Sequence, residues 1–142
     1  MLDTSVVVAA LTTPNPRSAS RVVLVAAAAG AVELVITDEL EAEYLRAVEY
    51  PSVVRYAAKV DRQAFVAAVV AVAERVTAEE ARGAVPSDPE DDKVLAAAFA
   101  GRAGFVVTLD RDLLRLGEVR GVQVVTPGDF LASCADRLQE DQ

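Results

Sequence analysis

The order of apolar segments predicts an α/β fold, a three-layer α/β/α sandwich around a central, mostly parallel sheet. Three observations carry this expectation. Short β-branched runs alternate with longer alanine-rich stretches of helical composition, and proline or glycine punctuates most of the changes. Acidic residues then follow the ends of several runs, where open α/β sheets place their sites. A chain of 142 residues, 53% hydrophobic and 25% charged, is large enough for one domain with one core and too apolar for disorder.

Leu2–Ala10 reads as the first strand, rich in valine, although only Met1 and Leu2 precede Asp3. Arg17–Ala29 is helical in composition, with Gly30 as its stop. Glu33–Ile36 reads as a short strand ended by Thr37-Asp38, and Glu39–Glu49 as a helix whose continuation Pro51 restricts. Asp61–Ala73 is a further apolar helix with room for an earlier start, and Val76 marks a short strand before the polar stretch Ala78–Pro89. Pro89 opens a helix to about Ala100, with Asp88 placed as its N-cap. Gly101 and Gly104 bracket the turn into the strand Phe105–Thr108. Val122–Val125 is another strand, and Pro127 leads into a final helix through Leu131. Residues 1–135 are therefore expected to form a single domain and 136–142 a polar, fraying tail.

The absences narrow the chemistry. There is no histidine, which removes imidazole catalysis and His-ligated metal sites. The one cysteine, Cys134, permits no internal disulfide and suits a reducing compartment. The N-terminus lacks the basic patch and apolar run of a secretory signal. The longest apolar run, Val22–Val32, falls short of the roughly 20 residues a membrane span needs. A cytoplasmic location without a membrane is the expectation. The net charge of −8 speaks against broad nonspecific nucleic-acid binding, and any acid–base or metal chemistry must rest on carboxylates.

Four acidic places could carry such chemistry. Asp3 interrupts an apolar run together with Thr4 and Ser5; a turn or cap is the bland alternative. Glu43 falls at the edge of a helical stripe formed by Leu40, Tyr44, Ala47 and Val48. Glu41 lies nearer the middle of that stripe but is placed to close a capping box with Asp38, and spacing alone does not choose between them. The run Asp88-Pro89-Glu90-Asp91-Asp92 suits the positive end of a helix dipole, and Asp91 either closes a box or faces a cleft. Asp110 and Asp112 follow the strand that ends at Thr108, more polar groups than one cap requires. Carboxylates spread over such places suggest an acidic pocket for Mg²⁺ or Mn²⁺, whose hard character selects oxygen ligands. The chemistry typical of that pocket is phosphoryl transfer.

The segments Leu-Asp-Thr-Ser-Val-Val-Val at Leu2–Val8, Glu-Tyr-Leu-Arg at Glu43–Arg46, Asp-Pro-Glu-Asp-Asp-Lys-Val-Leu at Asp88–Leu95, Val-Thr-Leu-Asp-Arg-Asp-Leu-Leu at Val107–Leu114 and Val-Val-Thr-Pro-Gly-Asp-Phe-Leu at Val124–Leu131 together resemble the PIN-domain ribonucleases. Among these the resemblance is strongest to the VapC-like toxins of bacterial type II toxin–antitoxin systems. It implies that Asp3, Glu43, Asp91, Asp110 and Asp112 form the catalytic pocket, with Asp3, Asp91, Asp110 and Asp112 as metal ligands. Thr4, Ser5 and Thr108 would support them. It also implies hydrolysis of RNA by a metal-activated water with Mg²⁺ or Mn²⁺ as cofactor, a homodimer, and a protein antitoxin as partner.

An acidic protein must still meet RNA, and Arg17, Arg21, Lys93, Arg111 and Arg115 are the candidate phosphate contacts. Ordinary solvated helix faces are the alternative for any one of them. Two rival functions stand beside the toxin: an RNA-processing PIN nuclease without an antitoxin, and a non-catalytic binding module on the same fold. A phosphoacceptor receiver domain fits less well, because Asp3 has no acidic neighbour and Thr126-Pro127-Gly128 follows the last strand where such domains carry lysine.

Overall fold

A computed structural model describes residues 1–77 and 89–140, of which 89–92 and 137–140 are described as backbone only. The polar stretch from Ala78 and the proposed Asp88 cap lie outside the described residues.

The largest departure from the sequence reading comes first in the chain. Leu2–Ala10 is not a strand: after one parallel bridge between Leu2 and Val107, residues Thr4–Thr12 form helix α1. Asp3 takes the extended N-cap conformation there, and Val6, Val7, Ala10 and Leu11 are buried. Valine's strand preference is weak enough for tertiary packing to override it, and α1 packs against three other helices. These are α2 (Ala19–Ala28), α3 (Asp38–Ala47) and α4 (Pro51–Ala57). Ser18 caps α2 through the Arg21 N–H, and Thr37 caps α3 through the Leu40 N–H. Pro51 does more than end α3; it opens α4 at the first turn, where a missing N–H costs nothing. The helical stretch expected at Asp61–Ala73 begins, after this separate short helix, as α5 (Arg62–Ala71), with Asp61 as its N-cap.

Parallel pairing is present, in two small sheets among the described residues. Strand β1 (Val35–Ile36) pairs with β2 (Glu74–Arg75) in parallel. After α6 (Pro89–Ala100), β3 (Phe105–Val107) pairs in parallel with β5 (Val122–Val125). The antiparallel β4 (Glu118–Val119) completes that second sheet in the order β3-β5-β4. Between β4 and β5, Arg120 and Gly121 both have positive φ, the requirement of a two-residue hairpin turn matching strand twist. The short α7 (Arg111–Leu114) follows β3. Helix α8 runs from Pro127 to Glu140, well past Leu131 and through much of the expected tail.

The core joins α1, α2, α3 and α6 to β3 and β5, with Val6, Leu24, Ile36, Leu40, Tyr44, Leu95 and Val106 all fully buried. One contact there is unusually close. A Cβ on Gly101, at the end of α6, would lie 2.2 Å from a Val35 methyl, so only glycine lets this turn press against β1. Among the described residues no helix is long and apolar enough to cross a membrane.

Candidate acidic site

The end of β3 and the start of α1 lie side by side because the Asp3 N–H donates to Val107 O (2.9 Å) and the Val107 N–H donates to Met1 O (2.9 Å). This backbone pairing delivers Asp3 and Thr108 to the same place. The Asp3 carboxylate, only 9% exposed, makes no capping bond to α1. Its Oδ2 accepts instead from Ser5 Oγ at 2.6 Å and from the fully buried Thr108 Oγ1 at 2.9 Å. Thr108 Oγ1 also accepts from the Asp110 N–H (3.0 Å), and Ser5 Oγ accepts from the Leu109 N–H (3.0 Å). Two hydroxyls thus lock the turn after β3 onto the first turn of α1.

The second half of the site starts from Thr4, whose Oγ1 donates to Glu43 Oε1 at 2.6 Å. The other oxygen of Glu43 pairs with the Lys93 ammonium of α6. Burial pushes the Glu43 carboxyl up, but Lys93 and Thr4 as hydrogen-bond donors, with the charges of Lys93 and Arg46, hold it below the usual glutamate range. Beneath it, the fully buried Tyr44 hydroxyl donates to Leu2 O. Burial, with the nearby Asp3 and Glu43 charges, pushes that phenol far above its ordinary value, so Tyr44 stays a neutral donor.

Of the glutamates that spacing left open, Glu43 faces the Asp3 side of α3. Glu41 instead pairs with Arg75 (2.6 Å), which also holds Asp38 (2.5 Å). Asp110 caps α7, its Oδ1 accepting from the Asp112 N–H at 2.8 Å. Asp112 itself is 73% exposed and pairs with Arg115 at 3.1 Å. The Asp91 side chain lies outside the described residues; its helix neighbour Lys93 touches Glu43. Among the candidate RNA contacts, Arg17, Arg111 and Arg115 are exposed. Arg21 is turned inward, its Nε donating to Ala10 O at 2.7 Å. The Tyr44–Leu2 bond and the Lys93–Glu43 pair escaped sequence reading, since each joins residues some 40 to 50 positions apart.

Among the described residues no three acidic or cysteine side chains come together as a ready metal cage. The donors that do converge are all oxygens. No cation pairs with the buried Asp3 carboxylate among the described residues, and such a charge is costly without a counter-ion. That chemistry fits a hard divalent cation. A cavity of about 320 Å³ lies elsewhere, lined largely by apolar groups including Val23, Ala27, Val35, Phe105 and Phe130, and contains none of these acids.

The sequence matches the PIN domain family over residues 1–112. The chain belongs to the PIN-domain family. Every acid of the proposed pocket, from Asp3 to Asp112, falls within the matched span of this PIN domain, while β4, β5 and α8 lie beyond it. PIN domains are generally metal-dependent nucleases, which supports a hydrolase of the nuclease type. No curated protein and no solved structure matches the chain.

Proposed function

We propose that this PIN domain is a Mg²⁺- or Mn²⁺-dependent endoribonuclease, the toxin of a toxin–antitoxin pair. The observation that carries the reading is the Asp3 carboxylate, buried and oriented by two hydroxyls with no cation beside it among the described residues. In this reading Asp3, Asp91, Asp110 and Asp112 hold the ion, Glu43 lines the pocket, and Thr4, Ser5 and Thr108 fix the orientation of the acids. A divalent ion bound there supplies Lewis acidity and activates water for attack at phosphorus. Exposure leaves Arg17, Arg111 and Arg115 open to meet RNA phosphates. A homodimer and a cytoplasmic antitoxin partner belong to the same reading, supported by the exposed Val22 and Val25 on α2.

The test is RNA cleavage with Mg²⁺ or Mn²⁺ by wild type, Asp3→Asn and Asp91→Asn. Both variants should lose on the order of a hundredfold in rate. Undiminished cleavage in both, or none by wild type with either ion, refutes the proposal. Growth arrest on inducing wild type but not Asp3→Asn would support the toxin role; a nuclease that leaves growth unchanged favours RNA processing.

A further inference from the structure

Lys93 looks from the sequence like a phosphate contact, yet the structure turns it inward. Its side chain is 14% exposed, and its ammonium sits on Glu43 Oε2. Thr4 occupies the other oxygen of the same carboxylate. Glu43 therefore has both oxygens engaged by groups of this chain, one from α1 and one from α6. A single ammonium suits this place because it is a compact point charge that can serve one carboxylate oxygen, whereas a guanidinium prefers a planar fork of two. The same positive charge has a second consequence. Thr4, the other partner of Glu43, adjoins Asp3 in the chain, so Lys93 adds positive potential to the site proposed for a divalent ion.

We propose that Lys93 is a resident counter-cation of the acidic site, a positioning residue that fixes Glu43 before any divalent ion binds and opposes that ion's binding. The inference rests on the metal-dependent ribonuclease reading and adds to it. Lys93 keeps the site assembled when empty, at the cost of weaker metal affinity. A purely structural ion pair has the opposite signature, because its loss loosens the site and weakens metal binding.

The experiment is calorimetric titration of Mn²⁺ into the full chain, freed of metal with chelator beforehand, for wild type, Lys93→Met, Lys93→Gln and Lys93→Arg. Lys93→Met should bind Mn²⁺ about tenfold more tightly than wild type, the effect of one nearby like charge. Lys93→Gln should change in the same direction and serves if the methionine variant does not fold. Lys93→Arg keeps the positive charge and should bind Mn²⁺ no more tightly than wild type. In chelator, Lys93→Met should also melt below wild type. Wild-type binding of Mn²⁺ with equal or weaker binding by the neutral variants overturns this inference and leaves the ribonuclease reading intact. Absence of Mn²⁺ binding in every protein overturns both.

Discussion

Replacing Thr108 by valine keeps nearly the same shape in a fully buried position and removes one hydroxyl. That hydroxyl donates to Asp3 Oδ2 at 2.9 Å and accepts from the Asp110 N–H at 3.0 Å. A hydrogen bond to a charged acceptor is worth about 1.5–3 kcal/mol. The lower half of that range applies, because Asp3 retains its 2.6 Å bond from Ser5. The abandoned Asp110 N–H costs little more, since Asp110 is exposed and water can replace the lost acceptor. The expected loss is about 2 kcal/mol, or about 4–8 °C in melting temperature for a chain near this size. Thermal unfolding followed by circular dichroism in chelator measures it, with Thr108→Ser as the variant that retains the hydroxyl and most of the stability. Cleavage with Mn²⁺ should fall about tenfold or more in Thr108→Val, because Asp3 loses one of its two orienting groups. A valine variant that melts within about 1 °C of wild type would refute the claim that this hydroxyl ties β3 to α1.

Two further substitutions probe how the site is supported. Tyr44→Phe leaves the buried Leu2 carbonyl without its phenol donor, for an expected loss of about 1–3 kcal/mol in urea unfolding; an unchanged midpoint would show that bond to be idle. Gly101→Ala brings a Cβ to 2.2 Å and 2.8 Å from the two Val35 methyls, and overpacking of this kind costs about 1–3 kcal/mol. Val35→Ala should relieve it, so the double variant should be more stable than the sum of the two single losses predicts, whereas strict additivity in the cycle would count against the clash.

Elements with local punctuation were legible in the sequence, and those decided by distant packing were not. Gly30 ends α2 within two residues of the expected place, and the turn from Gly101 to Gly104 leads into β3 as read. The first valine run had no such local arbiter. Val6, Val7 and Val8 look like a strand to any propensity scale, and only packing against α2, α3 and α4 makes them a helix. Pro51 carries two meanings, a stop for α3 and a start for α4, and spacing alone suggested the first. The site divides similarly. An acid flanked by Thr4 and Ser5, and a second group beginning at Thr108, stood out because hydroxyls and carboxylates interrupt apolar runs. That Thr108 would bond Asp3 from 105 positions away, or that Lys93 would turn inward to Glu43, depends on the meeting of β3, α3 and α6 with α1.

The charge balance acquires a different meaning once the pairs are located. Asp38 and Glu41 share Arg75, Glu49 pairs with Arg62, Asp112 with Arg115, and Glu43 with Lys93. Asp3 differs from all of them: its structural partners are hydroxyls and its burial is nearly complete. Hydroxyls orient a carboxylate without neutralising it, so the negative potential at Asp3 survives where low exposure weakens solvent screening. The net charge of −8 therefore obscures a local distinction that matters more than the total. Acids paired with arginine or lysine have their field largely compensated on the spot, whereas no cation pairs with Asp3 among the described residues. Two bound divalent ions would shift the total only from −8 to about −4. In the proposed site that change would fall at the four aspartates together, so on that reading an acidic chain favours an RNA phosphate at one point while repelling the polyanion elsewhere, with weak overall affinity as the consequence.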